Sequence, residues 1–214
     1  MNEDLVTRVE ERRTRYLVTI NDSETFTLTA RQMRERGLEQ GDAIDLEEFR
    51  QWLLLRQYPD ALERAGKALS LRARSRGEIE QLLRDRAMSE DTIEMVLYKL
   101  DSMHLLNDDS FAEECARSRV GRQVGKSRIV QELLQKGVEL DVAESAVENL
   151  SDDDMHAQCL RLAQKLLKRH QNDAPKKAME KIVSAMMRRG FRFSEASDAV
   201  KEALERQMED TDIE

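Results

Sequence analysis

Two stretches of this chain are versions of one helical phrase: "GKSRIVQELLQKGVELDVAESAVENL" from Gly125 to Leu150, and "MEKIVSAMMRRGFRFSEASDAVKEAL" from Met179 to Leu204. Superposed, they set Ile129 on Ile182, Leu133 on Met186, Gly137 on Gly190 and Asp141 on Ser194, and a third copy supplies Ile79, Leu83, Ala87 and Asp91. Apolar residues four apart share one helical face, so each copy predicts a helix, a turn and a second helix. Gly137 and Gly190 are expected to take the left-handed conformation that ends a helix without a Cβ clash. Asp91, Asp141 and Ser194 are expected to cap the next helix by accepting its free N–H groups, with Glu94 and Glu144 three residues on at capping-box spacing.

A further helix precedes each pair. "DDSFAEECAR" (Asp108 to Arg117) matches "DDDMHAQCLR" (Asp152 to Arg161) in its aspartates, Cys and Arg, and "YPDALERAGKALSLR" (Tyr58 to Arg72) fills the same slot in the first copy. The unit is therefore three helices, repeated over 59–106, 107–150 and 151–208, with an acidic tail over 209–214. One unit has too little core to stand alone; stacked units share a continuous apolar seam, which predicts an elongated, curved helical array. Residues 1–58 differ. Tyr16, Val18 and Ile20 alternate with Arg15, Leu17 and Thr19, and Phe26 and Leu28 alternate with threonines. Asn21-Asp22-Ser23 between them is turn chemistry, so a β-hairpin is expected, with Leu5 to Arg12 as a third strand. A short helix over Ala30–Glu35 ends at Gly37, and a second opens at Asp45 and stops before Pro59. The fold class is mainly α: tandem three-helix repeats behind a small β-hairpin-plus-helix module.

Composition bounds the function. The chain of 214 residues carries a formal net charge of −8, with 36% charged residues, 4% aromatics and two cysteines. Without a CxxC pair, those cysteines point to a reducing compartment and not to a disulfide framework. The polar segment Met1 to Glu11 has no signal-peptide character, and no apolar run approaches the roughly 20 residues of a membrane span. A cytoplasmic protein with no membrane partner is expected, and no cofactor is implied.

Two motifs invite other chemistry. "GRQVGKS" (Gly121 to Ser127) resembles a phosphate-binding loop. That loop needs four residues between its glycines and a strand before it; here Arg122, Gln123 and Val124 intervene and a helix precedes. A helix–helix turn with a basic helix start is the better reading, without nucleotide hydrolysis. Asp152, His156 and Cys159 would share one helix face and are metal-capable types. Yet Cys159 matches Cys115 in the preceding unit, where Ala112 replaces His156, and a position repeated by architecture is core. No metal site and no catalytic residue are assigned.

The basic residues are segregated. Arg117, Arg119, Arg122, Lys126, Arg128 and Lys136 face the single acid Glu132 in their stretch. Arg161 to Arg192 holds ten cations, among them Lys168, Arg169, Arg188 and Arg189, against Asp173 and Glu180. Arg72, Arg74 and Arg76 add a third group. If stacking aligns the units, these form one electropositive stripe suited to an acidic partner; the alternative is a solvated face.

The layout resembles the RecX regulators of the bacterial RecA recombinase. The resemblance rests on "ALSLRARSRGEIEQLL" (Ala68 to Leu83), "LLNDDSFAEECARSR" (Leu105 to Arg119) and "GKSRIVQELLQKGV" (Gly125 to Val138), with "MMRRGF" (Met186 to Phe191) a weaker match. The N-terminal β module is similar to the extension found on longer members. The resemblance implies a non-enzymatic, cytoplasmic monomer that binds RecA filaments on single-stranded DNA and restrains ATP hydrolysis and strand exchange. Single-stranded DNA itself would be met weakly or through the filament. A helix-turn-helix-like nucleic-acid reader and an adaptor for another protein stand as the alternatives. The basic stretches lack the interleaved aromatics on which a single-strand reader stacks bases.

Overall fold

Alternation in the N-terminal segment produces three antiparallel strands, β1 (Asp4–Arg12), β2 (Arg15–Ile20) and β3 (Glu24–Thr29), in the computed structural model, which describes residues 4–212. Asn21 and Asp22 both adopt positive φ in the β2–β3 turn, at 51° and 53°, as a tight hairpin requires. Helix α1 (Ala30–Arg36) opens on a capping box, Thr29 with Gln32, and ends at Gly37 with φ 64°. Strand β4 (Ala43–Ile44) then pairs with β1, and the sheet runs β3-β2-β1-β4. Two residues are too few to show alternation, so this strand has no sequence signal. Val6, Val18, Ile20, Phe26 and Leu28 bury one sheet face against Phe49 and Leu53, with the Phe26 and Phe49 rings edge to face at 5.2 Å.

Phe49 and Leu53 lie on α2 (Leu46–Leu71), capped by the Asp45 side chain. The expected stop before Pro59 is overturned: α2 is one helix of 26 residues with Pro59 inside it. Proline removes the bond to the carbonyl four residues back. That carbonyl belongs to Leu55, and both Pro59 and Leu55 are exposed, so water can take the place of the missing N–H. Because the stripe Phe49, Leu53, Gln57, Ala61, Ala65 and Ala68 is buried without interruption, one helix serves two cores. Its first half covers the sheet. Its second half packs on α3 (Arg76–Asp85) and α4 (Glu90–Ser102) through Ile79, Leu83, Ile93, Val96, Leu97 and Leu100.

The chain divides into two compact units, Met1–Leu106 and Asn107–Glu214. The second holds α5 (Asp108–Val120), α6 (Lys126–Gln135) and α7 (Leu140–Glu148), then α8 (Asp152–Arg169), α9 (Pro175–Arg188) and α10 (Phe193–Asp212). Both helix triplets contribute to a single core, in which Ala112, Ile129, Leu133 and Ala143 join Cys159, Ile182, Met186 and Val200. The segment read as an acidic tail, 209–214, continues the α10 backbone as far as Asp212; its last two residues lie outside the described residues.

All three copies end their middle helix alike. Met88, Val138 and Phe191 donate to the carbonyls of Leu83, Leu133 and Met186 at 3.2, 3.1 and 3.3 Å. The residues just before them, Ala87, Gly137 and Gly190, have φ of 58°, 73° and 91°. This is the Schellman turn, which needs one left-handed residue. The expected caps, however, are displaced. Ser89 caps α4 and Asp91 lies two positions inside it; α7 starts after Glu139 with no side-chain cap, leaving Asp141 in the first turn; Ser194 is the second residue of α10. The turn is shorter than the capping-box spacing assumed. Asp91 acts on the positive potential of the helix start by charge, whereas Asp141 also accepts the Val142 N–H at 2.9 Å from inside the first turn of α7. At α10 the Glu195 carboxylate accepts the Arg192 N–H at 2.7 Å instead.

Candidate partner-binding surface

Of the three basic groups singled out in the sequence, the first is committed to internal ties. Arg72 donates two bonds to Glu78, at 2.8 and 3.0 Å, Arg74 donates to the Ala68 carbonyl at 3.2 Å, and Arg76 pairs with Asp101. Together with the buried N-cap Ser75 they lock the α2–α3 junction, where the chain turns sharply.

In the second unit the cations sort differently. Arg117 pairs with Glu113 at 3.3 Å, one turn back on α5. Glu132, the single acid of its stretch, is shared by Arg119 at 2.6 Å and Arg128 at 3.4 Å; the Arg119 contact is close but not aligned as a hydrogen bond. Lys126 reaches Asp152 at the start of α8, at 2.9 Å. Lys136 lies 5.7 Å from the centre of the Phe111 ring. Arg122, Lys168, Arg169 and Arg188 form no ion pair among the described residues, and Arg189 only approaches the Arg122 carbonyl, at 3.5 Å.

Tertiary packing decides which of these meet. The Gly125 N–H donates to the Arg189 carbonyl at 2.8 Å, and a Cβ on Gly125 would stand 2.2 Å from the Gly190 carbonyl carbon. A Cβ on Gly190 would in turn lie 2.4 Å from Arg128 Cβ. The start of α6 and the α9–α10 turn are thus in backbone contact, and Arg122, Arg128, Arg188, Arg189 and Arg192 are brought to one exposed neighbourhood. Two apolar side chains border it, Phe193 at 64% exposure and Met187 at 47%. Lys168 and Arg169 do not belong to it. They close α8, whose first residue, Asp152, is held by Lys126, and a helix of that length carries them about 25 Å away. There they face the negative end of their own helix. The stripe expected from sequence is therefore, within this unit, an arginine cluster and a separate helix end.

The contact also accounts for "GRQVGKS". Where a phosphate-binding loop would cradle its ligand, the backbone of 189–191 fills the space at Gly125. The turn itself is another Schellman-type end: Gln123 has φ 59°, and Val124 donates to Arg119 at 3.2 Å. The metal-capable face of α8 is likewise divided. Asp152 holds Lys126, His156 pairs with Glu202 at 3.0 Å, and Cys159 is buried with its Sγ 3.6 Å from the Glu195 carbonyl. Burial pushes the Cys159 thiol up to about 12, so it is protonated at neutral pH. Among the described residues no three metal-capable side chains gather. His170 and Lys181 both bond the Asp173 carboxylate at 2.8 Å, fastening the α8–α9 loop; Lys181 first and His170 second hold that carboxyl below its usual range. Sequence reasoning missed Gly125, Met187 and Phe193. Their importance comes from the contact across 65 residues and from exposure, neither of which a local pattern carries.

Comparison with known proteins agrees with this architecture. Residues 107–147 match the family model for the RecX second three-helix domain, and residues 152–200 match the model for the third. "Regulatory protein RecX" of Corynebacterium efficiens is 34% identical over 154 residues, covering 69% of this chain and 73% of the relative. The chain belongs to the RecX family. The namesake proteins of Streptococcus mutans and Listeria monocytogenes are each 28% identical, over 98% and 91% of this chain and 78% and 72% of theirs. The crystal structure of RecX from Lactobacillus salivarius aligns with a TM-score of 0.64 at 27% identity, covering 70% of this chain and 97% of that one. Another RecX crystal structure gives the same TM-score at 21% identity over 93% of this chain and 99% of the other, a likeness of fold. In RecX terms, the Gly125–Gly190 contact joins the second three-helix domain to the third.

Among the described residues no helix is long and apolar enough to cross a membrane.

Proposed function

We propose that this protein is a cytoplasmic, non-enzymatic regulator of the RecA recombinase, acting as a monomer on the RecA–single-stranded DNA filament and lowering its ATPase and strand-exchange activities. The observation that carries the reading is the exposed arginine cluster at the Gly125–Gly190 contact, in a chain that belongs to a family of regulatory proteins. In a protein of net charge −8, a local excess of unpaired arginines is directed at an acidic partner. Arg, Met and aromatic residues are also the types enriched at protein–protein interfaces, which favours a protein-coated strand over naked DNA. A ligand that prefers one filament state shifts its assembly by differential affinity alone, without chemistry.

The test is binding to bare and RecA-coated single-stranded DNA, together with RecA ATPase inhibition, for the parent and for Arg122→Glu/Arg188→Glu/Arg189→Glu. The parent is expected to bind the coated strand much more tightly and to lose inhibition with added salt. The triple variant is expected to fold normally and inhibit at least tenfold less well. Equal binding to both strands supports the nucleic-acid reader instead, and binding to neither supports the adaptor.

A further inference from the structure

The first unit contains a second concentration of arginine, unrelated to the repeat pattern. A cavity of about 400 Å³ opens between the β2–β3 edge, α1, α2 and the α3–α4 turn, and five arginines line it against two carboxylates. Both carboxylates are already engaged: Glu35 by Arg56, and Asp60 by Arg64 at 2.8 Å. Arg56 holds the Glu35 carboxyl below its usual range, so it stays charged and paired. Arg15, Arg31 and Arg86 have no ion pair among the described residues; Arg31 contributes only a longer-range attraction to Glu35.

Two buried glutamines complete the lining, and their chemistry is decisive. Gln57 Oε1 accepts the Ser89 N–H at 2.8 Å and the Thr92 hydroxyl at 3.1 Å. Gln32 Oε1 accepts the Thr29 N–H at 2.8 Å and the Thr29 hydroxyl at 2.9 Å. A backbone N–H can only donate, so the oxygen of each amide is identified by its partner. Each glutamine has therefore engaged its acceptor inside the fold and keeps an NH₂ donor with no hydrogen bond among the described residues. The cavity wall presents three unpaired guanidinium groups and two spare amide donors.

We propose that this cavity binds a phosphate-bearing anion. Guanidinium forks match phosphoryl oxygens bidentately, and with both lining carboxylates already paired the spare groups of the charged and amide lining are donors, which suits an anion that has only acceptors. The volume lies at the lower end of the range for small-ligand sites, which suits a di- or triphosphate group or a short run of strand backbone. No aromatic residue lines the cavity, so bases are not stacked and recognition is of phosphate alone. The chemistry of this wall holds whether or not RecA is the partner.

The experiment titrates the full chain with pyrophosphate and with a fifteen-residue oligothymidylate, by calorimetry and by emission of Trp52, the one tryptophan, whose ring lies 5.7 Å from the Arg56 guanidinium. Saturable binding is expected, weakened at least tenfold in Arg31→Ala/Arg86→Ala and unchanged in Lys201→Ala, which removes an exposed cation outside both arginine groups. Binding of pyrophosphate alone identifies a free phosphate compound; binding of the oligonucleotide through the same arginines identifies strand backbone. If circular dichroism shows the double variant misfolded, Arg86→Ala alone, on an exposed turn, is expected to lose at least threefold. The proposal is overturned if neither ligand saturates, if the Arg31 and Arg86 changes leave binding intact, or if hexaglutamate binds as tightly as pyrophosphate.

Discussion

Three glycines of the second unit serve different physical ends, and substitution separates them. Gly137 is left-handed at φ 73°, so Gly137→Val incurs the steric cost of a β-branched side chain in that region, about 1–2 kcal/mol. Gly125 has an ordinary φ of −78°, but no room for a Cβ beside the Gly190 carbonyl. Gly125→Ala is expected to cost about 1–3 kcal/mol by overpacking, and more if the Gly125–Arg189 bond breaks. Gly121→Ala is the control: the nearest heavy atom would be 3.8 Å away, and stability should be unchanged or slightly raised. Urea midpoints of the three variants check the ordering. Cys159 gives a second residue-scale expectation. With its thiol at about 12 when folded against 9.0 as a free group, the unfolded chain ionises first. Its contribution to stability is complete below pH 9 and is lost as pH rises through about 12. At about pH 8, below the free thiol's own range, the buried Cys159 is expected to resist alkylation until the protein unfolds, while half-buried Cys115 reacts sooner, as peptide mass mapping would show. Reversed labelling would show that Cys159 is not the core residue described.

At the scale of elements, α2 is the instructive case. A proline normally ends a helix, and the stripe of buried residues on either side of Pro59 overrides it, because burial of Phe49, Leu53, Ala61 and Ala65 on one continuous face outweighs one backbone bond. Pro59→Ala restores the N–H without touching either core. It is expected to stabilise the protein by about 1–3 kcal/mol, read as a higher urea midpoint with an unchanged slope. A drop in stability would mean that the proline shapes α2. The helix ends behave in a complementary way. Ile79, Ile129 and Ile182 revealed the middle helices through periodicity, and Gly137 and Gly190 marked two of their ends. Ala87 performs the same left-handed turn with a Cβ, at a conformation its residue type does not advertise. The caps were misplaced by two residues because acids and hydroxyls are favoured both at the N-cap and within the first turn of a helix, and spacing alone does not distinguish the two positions.

At the scale of the whole molecule, the repeats are not equivalent in how they complete a core. The first closes its own, joined to the β module through α2, whereas the second and third share one. A single three-helix unit is near the size of roughly 40 residues below which a lone core rarely suffices. A fragment of residues 107–214 is therefore expected to melt cooperatively by circular dichroism, and a fragment of 107–150 is expected to show no cooperative transition. A stable 107–150 fragment would remove the argument that these two repeats are one folding unit.

What the sequence by itself determined is what local chemistry carries: the hairpin from alternation, the helices from four-residue apolar spacing, the left-handed ends from glycine, the threefold repeat from self-similarity, and the family resemblance from phrases in order. What only the tertiary structure decided is which distant residues meet. The cations of "RSRVGRQVGKSR" and "RRGFR" read alike as charge, yet Arg119 and Lys126 are tied to acids, while Arg122, Arg188, Arg189 and Arg192 remain exposed beside a glycine–glycine contact. The sorting of Arg15, Arg31 and Arg86 into one cavity draws on a strand, a helix and a turn, and has no linear signature. The physical reason is the same in both cases. Periodicity reports the face a residue occupies on its own element, but ion pairing and donor balance depend on through-space neighbours, which packing alone supplies.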